Sequence, residues 1–407
     1  MLVATIPLFD ENMAVQAYSL YVQSKNYLLN PILLGTGRND GAVEIPGLDI
    51  IKMVGVDALA GDKEVFVEIN NISVFTDIEE QCAASHNKVV LLMDNTVKPD
   101  EMYINRLKAL KKSGFKLAIR KLAVASFEPY REVLLLMDYI FLDHRRIDIS
   151  KARIYFSKIY PNIKLCAGNI KTQEDFEKLK AEGGYHFYEG EFYRTPITQG
   201  EADVSPLKVN YIQLLNMVND EDFDLAKAAD VIGRDTALVI SLLKMVNKMS
   251  VNSEITSIRH AAAMLGQKDL KKWINTAVTN ELCADKPNEI TRVSLLRAKF
   301  AENLAPIFEM AIHSSELFLM GLFSVLDLIL DKPMDEALDM VKVSKDIREA
   351  LVSGEGKFMP VLDFVTQYEA ANWSEVSRQM IVADIDMKRV YEAYTQSLQW
   401  YRDLFAN

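Results

Sequence analysis

The two halves of the chain differ in the spacing of their apolar positions. In the first half, short runs rich in Val, Ile, Leu and Phe predict strands at Val65–Asn70, Lys88–Met93, Phe115–Leu122, Tyr139–Asp143 and Lys164–Gly168. The stretches Glu101–Ser113 and Thr172–Glu182 have helical spacing and lie between strands. Repeated strand–helix units predict a parallel sheet, either open or closed into a barrel. The runs Leu2–Phe9 and Ala14–Gln23 leave no room for a crossover helix, so we expect them to pair antiparallel.

Helical spacing dominates the second half. Asp235 is placed to cap one helix, and Ser257 is placed to cap another that ends at Gly266. Residues 199–206 are polar and contain glycine and proline, which is typical of a linker. The sequence therefore predicts an α/β domain over residues 1–198 and an all-α domain over residues 207–407.

Composition narrows the class of protein. The chain has 407 residues, which is more than one domain usually holds, and a formal net charge of −11 that argues against broad nucleic-acid binding. Its three cysteines form no CxxC pair, which favours a reducing compartment without a disulfide framework. The apolar run Leu317–Leu330 is shorter than the roughly 20 residues of a membrane span. We expect a cytoplasmic protein that needs neither nucleic acid nor membrane as a partner.

Candidate chemistry lies at the predicted strand ends. No GxSxG, HExxH, P-loop or GxGxxG motif occurs, and none of the five histidines precedes an aspartate. Acids lie at the ends of two strands, at Asp94 and Asp143, whereas Arg120 and Lys121 lie at the end of another. Two adjacent cations oppose a bound dication, so we expect no two-metal site. Arg120 and Lys121 are interpreted either as an exposed strand end paired with nearby acids or as an anion-binding site.

A resemblance to one family of bacterial proteins covers almost the whole chain. It is carried in the first half by AYSLYV (17–22), GVDALAG (55–61), NTVKPDE (95–101), GFKLAIRKL (114–122) and FYEGEFYRTP (187–196). In the second half it is carried by LLNMVND (214–220), ITSIRHAAAMLG (255–266), KKWINTAV (271–278) and MGLFSVLDLIL (320–330). The chain resembles proteins that join a cyclic-di-GMP phosphodiesterase-like EAL domain to an HDOD domain. The resemblance implies a modified TIM-type (β/α) barrel with an antiparallel first strand, followed by an all-helical HDOD domain.

The same resemblance implies that several metal ligands and substrate contacts of active EAL domains are replaced. The replacing residues are Tyr18, Val22, Leu92, Arg120, Lys121, Phe141 and Lys171. The resemblance also implies that Glu68 replaces an asparagine metal ligand of active EAL domains and that Glu189 replaces one of their glutamines. It implies that the aspartate at Asp143 is kept. Gly190 is retained, which indicates that the backbone of the fold requires a glycine there even where the catalytic residues are replaced.

These replacements lead to the hypothesis of a non-enzymatic signalling protein. It would have no catalytic residue, cofactor or metal, and it would act through regulatory protein partners. One alternative is a metal-free effector that binds cyclic di-GMP or a related nucleotide through Arg120 and Lys121. Another is an active phosphodiesterase with rearranged ligands drawn from the remaining acids, Glu68, Asp94, Asp143 and Glu189. A homodimer is expected by resemblance only.

Overall fold

The computed structural model describes residues 1–23, 26, 44–194, 204, 206–220, 222–233, 235–249 and 255–405. Except for residues 204 and 206, the predicted linker lies outside this part of the chain. The domain limits derived from the sequence therefore stay a prediction.

Eight strands of the described residues close into a barrel in the order β1 to β8. Their bounds are β1 Leu2–Phe9, β2 Val15–Gln23, β3 Glu64–Glu68, β4 Val89–Met93, β5 Lys116–Ile119, β6 Tyr139–Asp143, β7 Lys164–Ile170 and β8 Phe187–Gly190. Strands β2 to β8 run parallel, whereas β1 is antiparallel to both of its neighbours. This arrangement confirms the predicted barrel with an antiparallel first strand.

A tight turn explains the direction of β1. The side chain of Asp10 accepts hydrogen bonds from the backbone N–H groups of Asn12 and Ala14, at 2.8 and 3.0 Å. Met13, between them, has a left-handed φ of 59°. A connection this short can join only antiparallel neighbours, because a parallel crossover needs about a dozen residues or more.

Apolar side chains fill the interior of the barrel. The strands contribute inward residues that form one buried cluster, namely Leu8, Ala17, Phe66, Val90, Leu92, Ala118, Tyr139, Phe141, Cys166 and Phe187. Phe66 lies edge-to-face against Phe141, with ring centroids 5.6 Å apart. The interior is therefore packed, which leaves the carboxyl ends of the parallel strands as the place for a site.

Helices surround the barrel and make up the second half. In the first half they are α1 Pro46–Val54, α2 Val56–Ala60, α3 Ile78–Gln81, α4 Glu101–Lys112, α5 Arg131–Leu134, α6 Ile149–Ile159 and α7 Gln173–Glu182. They continue with α8 Pro206–Val218, α9 Leu225–Ile232, α10 Thr236–Met249, α11 Ile258–Leu282, α12 Asn288–Leu304, α13 Ser314–Phe323 and α14 Leu326–Leu330. The last are α15 Met334–Asp339, α16 Lys345–Arg348, α17 Met359–Glu369, α18 Trp373–Val382 and α19 Met387–Phe405.

The predicted helix ends are confirmed where a cap could be identified from the sequence. The Asp235 carboxylate accepts from the N–H of Leu238 at 3.0 Å, and the Ser257 hydroxyl accepts from the N–H of His260. Gly266 has φ 73° and ψ 174°, so the helix that starts at Ile258 breaks there before α11 continues. Side-chain oxygens at N-caps and glycine at a helix end supply the conformations that the sequence predicted.

The chain forms two compact units. One contains residues 1–195, 303–311 and 363–407, and the other contains residues 196–302 and 312–362. The barrel unit therefore includes α18, α19 and most of α17, and α19 packs against β1 and α2. Among the described helices, none combines the length and the apolar character needed to cross a lipid bilayer.

Candidate functional site

A cavity of about 1370 Å³ opens at the carboxyl ends of the barrel strands. We call it the mouth cavity. The walls formed by described residues include the ends of β3 to β8 and a segment of the barrel unit far along the chain, residues 369–374. The candidate site residues named from the sequence all line this cavity. They are the four acids Glu68, Asp94, Asp143 and Glu189 and the two cations Arg120 and Lys121.

Arg120 forms the charged floor of the mouth cavity. Its guanidinium donates to the Glu189 carboxylate at 2.9 and 3.2 Å and to Glu68 at 3.3 Å. It also donates to the Tyr21 hydroxyl, which in turn donates to Glu189 at 3.1 Å. The guanidinium lies 5.3 Å from the centre of the Phe141 ring. Arg120 is thus held by a closed set of hydrogen bonds directly above the apolar core.

Burial and neighbouring charges shift the pKa of Arg120 in opposite directions. The side chains of Arg120 and Glu189 are only 10% and 13% exposed. Burial alone would lower the pKa of Arg120, but Tyr21 and the two glutamates raise it above its ordinary value. Burial also raises the pKa of Tyr21 well above its usual range. Arg120 therefore stays charged and Tyr21 stays protonated at any physiological pH.

Lys121 has a different environment from its neighbour. Its side chain is 50% exposed, and its ammonium lies 3.5 Å from the Asp94 carboxylate. Burial disfavours the charged form of Asp94, but hydrogen bonds from Thr96 and the charge of Lys121 hold its pKa below the ordinary value. Lys121 also has a left-handed φ of 60°, which is uncommon for a residue with a side chain.

Every carboxylate that the described residues place on the cavity wall is paired with a cation on the same wall. Besides the Arg120 and Lys121 pairs, these ion pairs are Arg146–Asp143 at 3.4 Å, Lys171–Glu191 at 2.7 Å and Arg194–Glu369 at 3.1 Å. We call the whole set the mouth ion pairs. Six carboxylates and five cations leave the wall with one negative formal charge.

Backbone strain marks two strand ends at the mouth. Asn169, after β7, has a left-handed φ of 64°, comparable to that of Lys121 after β5. The Asn169 amide donates to both oxygens of Asp143 at 3.3 Å. Non-glycine residues in this conformation cost of order 1 kcal/mol and cluster at functional sites. Two such residues thus lie at the mouth, after β5 and β7.

The donor set does not fit the divalent cations that the EAL resemblance implies. Within the part of the chain that the structure describes, no group of three or more His, Cys, Asp or Glu side chains could hold a metal ion. The wall carboxylates instead accept from guanidinium and ammonium groups, which a dication would have to displace. We therefore derive no chemical step through a metal.

Strand geometry also changes the position-by-position comparison with EAL domains. Ala17 faces the interior and side chains alternate along β2, so Ser19 and Tyr21 face inward rather than Tyr18. Tyr21 was not among the predicted site residues, although this alternation from Ala17 was available in the sequence. Leu92 and Phe141 belong to the buried interior cluster.

Comparison with known proteins confirms the resemblance in outline. The HDOD domain model matches residues 205–349. The cyclic di-GMP phosphodiesterase CdgJ of Vibrio cholerae is 29% identical over 243 residues, which are 59% of this chain and 56% of that protein. The chain thus spans about half the length of CdgJ. Protein YuxH of Bacillus subtilis is 26% identical over 415 residues, covering 99% of this chain and 98% of that protein.

Solved structures of EAL proteins resemble this chain over 46% of its length. One is a standalone EAL protein from Vibrio cholerae O395 in its c-di-GMP bound form, with 15% identity, a TM-score of 0.35 and 89% of that chain covered. The closed barrel and the HDOD match in the helical second half agree with the fold class predicted from the sequence.

One prediction is wrong. The sequence led us to expect a protein that is not an enzyme, but CdgJ, a relative over 59% of the chain, is named a phosphodiesterase. The prediction rested on comparing single ligand positions with those of active EAL domains, and at one of them Ser19 rather than Tyr18 faces the interior.

Proposed function

We propose that this HDOD-domain protein takes part in cyclic-di-GMP signalling, that its mouth cavity binds the dinucleotide, and that protein contacts pass the binding event on. The observation that carries the proposal is the mouth cavity itself, whose volume of about 1370 Å³ exceeds the roughly 300–1000 Å³ of most small-molecule sites. It lies where barrel proteins bind their ligands, at the carboxyl ends of the strands. The name of CdgJ supports cyclic di-GMP as the ligand.

The exposed mouth ion pairs provide the phosphate contacts. Side-chain exposure is 50% for Lys121, 81% for Arg146 and 43% for Lys171. Exposed pairs stabilise a fold by only about 0–1 kcal/mol, so a phosphate oxygen can replace the carboxylate at little cost. Arg120 is different, because its buried contacts with Glu189 hold it in place. Arg120 holds the side chains at the floor of the mouth cavity in place, while Lys121 contacts the phosphate.

Substitution of Lys121 tests this assignment. We expect Lys121→Met to weaken the binding of cyclic di-GMP about tenfold or more, because a charge-assisted hydrogen bond stabilises by about 1.5–3 kcal/mol. Calorimetric titration of the full chain, with and without a chelator, measures the change. Added salt should weaken wild-type binding as well, since it screens the exposed cations.

The matched control is Lys151→Met. Lys151 is 84% exposed and pairs with Asp148 at 3.0 Å, but it does not line the mouth cavity. We expect this variant to bind like the wild type. Absence of heat from wild-type protein would refute the proposed function, whereas equal affinity of both variants would remove Lys121 from the ligand contacts.

Hydrolysis of cyclic di-GMP is a second candidate function, favoured by the name of CdgJ. It predicts formation of the linear dinucleotide, lost in Asp143→Asn, since Asp143 is the acid that the EAL resemblance keeps. Chromatography of the nucleotide after incubation with full-length protein measures the product. Wild-type protein that binds the dinucleotide and leaves it intact at every Mn²⁺ concentration would eliminate this candidate and retain the first.

A further inference from the structure

A late segment of the chain forms one wall of the mouth cavity. Residues 369–374 comprise the end of α17, the turn 370–372 and the start of α18, and all six line the cavity. They are about 180 residues beyond β8 but belong to the same compact unit as the barrel. The cavity that we propose for the dinucleotide is therefore not built from the barrel strands and their loops alone.

Contacts on both sides of the segment fix it to the barrel. The Tyr368 hydroxyl accepts from the backbone N–H of Val3 at 3.2 Å, and Gln23 donates to the Ser377 hydroxyl at 2.9 Å. Arg194 and Glu369 form an ion pair at 3.1 Å, with side chains 18% and 11% exposed. Pairs this well buried are held in one geometry, so the segment is a fixed wall rather than a loose loop.

The turn itself holds Trp373 in one place. Ala371 has a left-handed φ of 51°, and the N–H of Trp373 donates to its carbonyl at 2.9 Å. The N–H of Asn372 donates to the carbonyl of Gln367, also at 2.9 Å. The Trp373 ring packs at 82° against that of buried Tyr368, with centroids 5.3 Å apart. The indole is thus half-buried and positioned on the cavity wall.

We propose that Trp373 belongs to the ligand site and stacks on a base of the bound dinucleotide. The inference rests on the proposed function and adds to it a recognition element from outside the barrel strands. Among the other aromatic residues of the wall, Phe141 and Tyr193 are buried, and Tyr21 is hydrogen-bonded to Arg120. Trp373 has the largest π-face of these side chains, and stacking of a base on an aromatic ring is a common source of nucleotide affinity.

Two substitutions in the full chain test the stacking. Trp373→Ala should weaken cyclic di-GMP binding by roughly 5- to 150-fold, the range measured for loss of one base–aromatic stack. Trp373→Phe keeps an aromatic face and should bind within a few-fold of the wild type. It should also lose the ligand-induced change in tryptophan fluorescence, because Trp273 and Trp400 do not line the cavity.

The outcomes separate this inference from the function on which it rests. If wild-type protein fails to bind the dinucleotide, the proposed function fails. If the wild type binds and Trp373→Ala binds equally well, only the role of Trp373 is refuted. An undiminished fluorescence change in Trp373→Phe refutes the role of Trp373 too. Near-normal binding by Trp373→Phe shows that a loss of binding in Trp373→Ala is not caused by misfolding at this position.

Discussion

Replacement of Arg120 by methionine is expected to lower the free energy of unfolding of the barrel by about 3–5 kcal/mol. The side chain of Arg120 is the buried partner of Glu189, whose own side chain is 13% exposed. Without the guanidinium, Glu189 and Glu68 would face each other at the floor of the mouth cavity with no counter-charge from this residue. Removal of one partner from a buried pair is costly because the other charge stays desolvated.

Urea unfolding of the full chain, with hydrogen exchange of peptides from β5 and β8, measures this loss in the barrel. Arg146→Met is the matched control, since Arg146 is 81% exposed and its pair with Asp143 should contribute no more than about 1 kcal/mol. The double variant Arg120→Met, Glu189→Gln should recover part of the stability by removing a stranded charge. Equal losses in the two single variants would show that burial of the Arg120 pair does not matter.

Gly190→Ala is expected to destabilise the barrel by about 4 kcal/mol or more, or to prevent its folding. A Cβ at this position would lie 1.9 Å from the carbonyl oxygen of Ile170 and 2.7 Å from two further backbone atoms of that residue. Gly190 pairs with Ile170 where the register between β7 and β8 shifts. A backbone atom cannot move aside as a flexible side chain can, so the ladder would have to separate.

The control for this variant is Gly61→Ala. Gly61 has a left-handed φ of 64°, but nothing lies within 4 Å of the added Cβ. Its substitution should cost only the backbone strain of about 1–3 kcal/mol. Thermal unfolding compares the two variants, and a Gly190→Ala loss no greater than that of Gly61→Ala would contradict the close approach of β7 and β8.

Strands such as β4, Val89–Met93, could be predicted because they are buried on both faces and form an unbroken apolar run. The predicted bounds Tyr139–Asp143 match β6, and Leu2–Phe9 match β1. Strand β8 was not predicted as a strand. It has four residues, and the last two are Glu189 and Gly190, so the apolar run is too short to be recognised.

Most of the mouth ion pairs could not be predicted, because their partners come from distant parts of the sequence; Arg146 and Asp143, three residues apart, are the exception. Arg120 and Glu189 are separated by 69 residues, and Arg194 meets Glu369 from the other end of the chain. The predicted strand ends, considered one at a time, showed only the two acids Asp94 and Asp143. In the structure the closed barrel and the segment 369–374 bring six carboxylates together on the wall of the mouth cavity. Charge balance at a site depends on the closure of the fold, which local spacing does not reveal.

The packing of α19 against β1 bears on how the protein is made. The first strand emerges from the ribosome long before residues 387–405, its eventual neighbours, have been translated. During that interval the apolar surface of β1 that α19 covers has no native partner on that side, which is the kind of exposure that favours aggregation or chaperone binding. Nascent chains that stop before residue 387 should therefore be protease-sensitive in β1, even though all eight strands have been synthesised.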